Sequence, residues 1–176
     1  MARERASEKE VIELVTALGT ALAQWGEVEG QLYLLYAALC EPGPFPNTHS
    51  VIYETVVPLD TKLSIIDALV EFKVKDDALL ARWAKLLSKI KSKTRRVRNK
   101  LAHWRVYQST DEKHFPVFLG PPITVQTQNI PDFGTSHGGA MRAKDIIEHA
   151  KNFTALAAEI REFTNAYRPG VLPIRK

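Results

Sequence analysis

Apolar residues recur at intervals of three and four from Ser7 to about Leu39, as Val11, Leu14, Val15, Leu18, Leu22, Trp25, Val28, Leu32, Leu35, Tyr36 and Leu39. That spacing keeps one side of a helix apolar and predicts a single long helix. Gly19, Gly26 and Gly30 lie inside it. Each costs roughly 1 kcal/mol relative to alanine in a helix interior, so close packing of a neighbour is expected where they stand. Glu41-Pro42-Gly43-Pro44-Phe45-Pro46-Asn47 ends the helix. Its prolines remove backbone donors and restrict the residues before them.

A second helical region is expected from about His49 to Phe72, broken at Pro58, with Asp60 or Thr61 as the fresh N-cap for Leu63, Ile66, Leu69 and Val70. Asp76-Asp77 then opens a third helix through Leu79, Trp83, Leu86, Leu87, Ile90, Val97 and Leu101. Carboxylates at its start and cations towards its end suit the helix dipole. Beyond it, Trp104–Tyr107, Phe115–Leu119 and Ile123–Gln126 read as short strands separated by polar or Gly/Pro turns. A last helix uses Ala143, Ile146, Ile147, Ala150, Phe153, Leu156, Ala157, Ile160, Phe163 and Tyr167, and Arg168-Pro169-Gly170 stops it. The expected fold is an all-α antiparallel helical bundle in one domain over residues 1–170, with a small β-hairpin or strand insert at about 104–127 and a tail at 171–176.

The 176 residues suit one sizeable core, and 45% hydrophobic with 25% charged residues is ordinary for a globular chain. No stretch approaches the roughly 18 consecutive apolar residues of a membrane span, so no membrane association is expected. The charged start, Met1 to Glu10, lacks the apolar centre of a signal peptide, and a cytoplasmic location is expected. Cys40 is the single cysteine and is read as a small buried apolar residue. Seven cations, Lys89, Lys91, Lys93, Arg95, Arg96, Arg98 and Lys100, more than account for the net charge of +4. Such a run is an electrostatic footprint for a polyanion, with Lys89, Lys93, Arg95, Arg96 and Lys100 as candidate RNA-binding residues. The alternative is a solvated helix face complementing the dipole.

Candidate chemistry sits in Arg98-Asn99-Lys100-Leu101-Ala102-His103. Arginine grips phosphate with a permanently charged planar fork, and histidine exchanges protons near neutrality. On an ideal helix Arg98 and His103 lie about 140° apart, whereas Asn99 and His103 are one-turn neighbours. Arg98 and His103 therefore share a site only if the helix ends between them or a second subunit completes it. An arginine, a polar residue and a following histidine near the end of a bundle helix resemble the signature of HEPN domains, matched by Arg98, Asn99 and His103. The resemblance implies a helical bundle that commonly dimerises with its paired motifs facing each other. Many HEPN domains are metal-independent endoribonucleases of toxin, antiviral or RNA-processing systems.

On that reading Arg98, Asn99 and His103 are the catalytic candidates, the chain is a homodimer acting on RNA, and an antitoxin or nucleotidyltransferase partner is compatible with it. A metal-free ribonuclease removes a proton from a 2′-hydroxyl, protonates the leaving oxygen and stabilises charge on phosphorus. His103 suits acid or base duty, Arg98 the phosphate, and Asn99 positioning. The competing reading is a catalytically silent module that binds RNA, a nucleotide or a protein. No metal and no cofactor are expected, because His49, His114, His137 and His149 show no ligand spacing and Gly134–Gly139 lacks the P-loop lysine.

Overall fold

A computed structural model describes residues 2–40, 48–108, 117–121 and 140–167. The chain is an all-α helical bundle with a small antiparallel hairpin before its last helix. Helix α1 runs Ala2–Leu39, α2 Thr48–Thr55, α3 Leu59–Lys73, α4 Asp77–Lys89, α5 Arg95–His103 and α6 Ala143–Tyr167. Strands β1 (Arg105–Gln108) and β2 (Val117–Gly120) form the hairpin. The third expected strand, the Gly-rich loop at 134–139, the break at 41–47 and the tail lie outside the described residues. None of the described helices is long and apolar enough to cross a membrane.

The residues group into two compact units, Met1–Trp25 with Arg96–Phe153, and Gly26–Arg95 with Thr154–Lys176. Helices α1 and α6 contribute to both.

In the first unit the buried row of α1 is Leu14, Ala17, Ala21 and Trp25. Val15 and Leu22, expected on the apolar face, are instead 51% and 38% exposed. Both sides of this half of α1 carry apolar residues, and the strict three-four row through the two alanines is the buried one. The Trp25 ring meets Phe153 edge-on at 5.3 Å. Val97 and Leu101 bury one side of α5. Tyr107 pairs with Phe118 across the hairpin, their rings stacked at 5.7 Å. Leu119 and Met141 exchange two backbone hydrogen bonds of 2.9 Å, which tether the hairpin to the start of α6. There the Arg142 amide donates to Asp145 Oδ2 while the Asp145 amide donates to the Arg142 carbonyl, a reciprocal cap.

In the second unit Asp76 caps α4 by accepting from the Ala78 and Leu79 amides. Helix α3 starts earlier than expected, behind Pro58. Proline presets the backbone angle for a helix start without side-chain capping. Asp60 thus sits in the first turn and not at the cap. Trp83, 2% exposed, donates its indole N–H to Asp67 Oδ1 at 2.8 Å and packs on Phe163. Cys40 is half-buried, where full burial was expected, and lies against the Tyr36 phenol. Gly26 and Gly30 here, like Gly19 in the first unit, have no described atom within 4 Å of a Cβ placed on them. The expected close neighbour is therefore not supplied by the described residues.

The third expected helix is not continuous. Between α4 and α5 the chain makes a wider π-type turn over Ile90–Thr94, in which the Arg95 amide donates to the Ile90 carbonyl five residues back. Ser92 leaves the helical region altogether, at φ −85° and ψ −114°. An interruption of this kind resets the phase of the residues that follow it. The expected third helix is thus two helices out of phase with each other, and only positions within α5 can be compared by helical geometry.

Candidate nucleic-acid interface

Helix α5 is short, and its buried side is set by Val97 and Leu101, one turn apart. With that side inward, Arg96, Asn99, Ala102 and His103 are exposed, while Arg98 and Lys100 are half-buried at the flanks. Arg96, Asn99 and His103 are spaced three and then four residues apart and make one outward row. The row is about 10 Å long at 1.5 Å per residue. Helix α5 runs unbroken through His103, and the Trp104 amide still donates to the Lys100 carbonyl at 2.8 Å. The helix therefore does not end between Arg98 and His103.

The side chain of Arg98 narrows the angular gap. Its Nη1 donates to Asn99 Oδ1 at 3.5 Å, a long bond that places the guanidinium on the Asn99 side of the helix. Asn99 stands one turn before His103 on the outward face. The motif residues thus form a linked surface run, Arg98 to Asn99 by contact and Asn99 to His103 by helical spacing. His103 is exposed and has no hydrogen-bond or ion-pair partner among the described residues.

The basic run divides between the two units and between two conditions. Lys89 is paired with Glu159 at 2.5 Å and Arg95 with Asp60 at 2.7 Å, both in the second unit. These half-exposed pairs are each worth about 0–1 kcal/mol and already engage the two cations. In the first unit the Lys100 ammonium lies 4.7 Å from the centre of the Trp104 ring, a contact worth roughly 0.5–1 kcal/mol at an exposed site. Arg96 forms no ion pair among the described residues. Of the candidate RNA-binding cations on α5, Arg96 is the one on the same outward row as His103, and the side chain of Lys93 lies outside the described residues.

Sequence reading overlooked Trp104 as part of this surface and used it only as the start of a strand. The signal available was the four-residue spacing from Lys100 to Trp104, which stacks a cation on an aromatic while the helix persists. A groove of about 470 Å³ with Asp67, Glu71, Trp83 and Lys91 on its walls belongs to the second unit and contains none of the motif residues. Among the described residues no group of three or more His, Cys, Asp or Glu is gathered as a metal site would require.

Compared with protein-family models, curated proteins and solved structures, the chain matches none.

Proposed function

We propose that the chain is an HEPN-like, metal-independent endoribonuclease that acts as a homodimer, with Arg98 and His103 of two copies facing one cleft. The observation that carries this reading is the linked run on α5, in which Arg98 reaches Asn99 and Asn99 stands one turn below an exposed His103 that has no partner among the described residues.

The chemistry follows from these groups. A neutral His103 takes the proton of a ribose 2′-hydroxyl, and the 2′-oxygen attacks the adjacent phosphorus. The bond from phosphorus to the 5′-oxygen breaks, and a protonated histidine from the second copy donates to that leaving oxygen. The products are a 2′,3′-cyclic phosphate and a 5′-hydroxyl. Arg98 stabilises the charge that builds on the nonbridging oxygens, where a bidentate guanidinium is strongest. Asn99 holds the guanidinium on the side of the helix that faces the scissile phosphate. Two copies supply the acid and the base that one exposed histidine cannot provide at once. Cleavage of this kind suits a toxin or phage-defence setting, in which an antitoxin or nucleotidyltransferase partner restrains it.

The test is cleavage of end-labelled single-stranded and hairpin RNA in excess EDTA, with product ends identified and the oligomer measured by light scattering. Wild-type protein is expected to be dimeric and to release 2′,3′-cyclic ends, and His103→Ala and Arg98→Ala each to lose about a hundredfold or more. The reading fails if wild type and His103→Ala cleave equally poorly.

A further inference from the structure

We infer that the strand taken by the α5 face is single-stranded RNA, with an unpaired base stacked on Trp104 and the neighbouring phosphate held by Arg96 beside His103. The inference rests on the ribonuclease reading and names the substrate of that same face.

Trp104 is unlike the other two tryptophans. Trp25 and Trp83 are 3% and 2% exposed and pack against Phe153 and Phe163, whereas Trp104 is half-buried at the surface directly after α5. Its position is set by the amide bond back to the Lys100 carbonyl, so the ring extends the last turn of the helix. Going round α5 from Asn99, His103 follows at about 40°, Arg96 at about 60° and Lys100 at about 100°, and the Trp104 ring lies under the Lys100 ammonium just past the end of the helix. His103, Arg96 and Lys100 therefore follow one another round one sector with the Trp104 ring at its edge, which sets phosphate ligands beside a surface that can receive a base. Arg98 falls on the other flank.

The Lys100 ammonium covers the Trp104 ring in the free protein. A base has the larger face and makes the stronger stack, so it displaces the ammonium. The released cation is left one turn from Arg96, where it meets the phosphate of the incoming nucleotide. The contact is thus an exchange, in which the cation that shields the ring when empty becomes a phosphate ligand when a base arrives. A base paired in an A-form duplex keeps its faces inside the stack and cannot reach the indole, which makes the surface selective for unpaired RNA.

The experiment measures binding by fluorescence anisotropy in a His103→Ala background, so that the probe stays intact. The probes are a labelled single-stranded RNA decamer, the same decamer in a duplex, and the same decamer with abasic positions. The single strand is expected to bind about tenfold or more tighter than the duplex or the abasic strand. Trp104→Ala removes that advantage and Trp104→Phe keeps most of it, which also controls for folding. Arg96→Ala weakens all three probes alike, as a phosphate contact does. Equal affinity for single strand and duplex, or unchanged binding by Trp104→Ala, overturns the inference. Wild type that binds single strands through Trp104 yet never cuts them overturns the ribonuclease reading and supports this one. Cleavage that depends on His103 but ignores Trp104 does the reverse.

Discussion

The guanidinium of Arg98 lies 3.5 Å from the side-chain oxygen of Asn99, its immediate neighbour on α5. Adjacent helical residues point about 100° apart, so this contact is made only because the long arginine bends towards the outward face. On the proposed ribonuclease reading, Asn99 is thereby a positioning residue. Asn99→Ala is expected to lower kcat on RNA by about ten- to a hundredfold with little change in KM, the signature of lost orientation rather than lost binding. Because Asn99 is exposed, circular dichroism and Tm should not move. A variant with kcat intact removes Asn99 from the mechanism.

Salt dependence separates cations that already have partners from those that do not. Each phosphate neutralised on a single strand adds about 0.7 to the slope of log affinity against log salt. Arg96→Ala should reduce the slope by about that amount. Arg95→Ala should change it less, because Arg95 already holds Asp60 at 2.7 Å. Asp60→Asn, which frees Arg95, should tighten RNA binding at low salt. Identical slopes for the two arginine variants would show that the Arg95 pair opens freely on binding.

Much of the fold is legible because helices repeat every 3.6 residues and caps are local. The starts of α4 at Asp76 and of α6 near Ala143, the Pro58 break and the run of Arg98, Asn99 and His103 all depend on neighbours within one or two turns. What was not legible depends on distance or on competition between similar faces. Glu159 and Asp60, which occupy Lys89 and Arg95, lie 70 and 35 residues away in sequence. The buried side of α1 passes through Ala17 and Ala21 although Val15 and Leu22 are more apolar, because the row that a neighbour covers is decided by packing. The turn at Ile90–Thr94 contains neither glycine nor proline, so nothing in its composition announces it.

The Trp83–Asp67 hydrogen bond ties α4 to α3 within the second unit. Asp67→Ala leaves a buried indole N–H without its acceptor and should destabilise the protein by about 1–3 kcal/mol in urea unfolding. Asp67→Asn retains an oxygen acceptor and should recover more than half of that loss. Equal losses in the two variants would place the effect in the aspartate charge and not in the hydrogen bond.

Gly19 and Gly30 are inside α1, with no described atom within 4 Å of an added Cβ. Alanine there restricts the unfolded chain and meets no clash among the described residues, so each substitution should stabilise by about 0.5–1 kcal/mol. The measurement is the urea midpoint at constant m-value. A loss of stability that grows with protein concentration would instead put a second copy against this face of α1.

Tyr53 is 7% exposed, and its hydroxyl has no hydrogen-bond partner among the described residues. Burial, with Glu29 adding to it, pushes the phenol up to about 12. Tyr36 is also raised to about 12, first by burial and then by its hydrogen bond with Cys40. In the unfolded chain both phenols ionise near about 10. Between those values the unfolded state holds fewer protons than the native state, so stability falls as pH rises. The contribution is whole below about pH 10 and is lost as pH passes through about 12. Tyr53→Phe keeps the ring beside Tyr33 and Tyr36, at 5.3 and 5.2 Å, while removing both the orphan hydroxyl and one of the two ionisations. The variant should be at least as stable as wild type in urea at pH 7, and its advantage should widen between pH 10 and 12. A variant less stable by more than about 1 kcal/mol at pH 7 would show that the Tyr53 hydroxyl makes a net favourable bond.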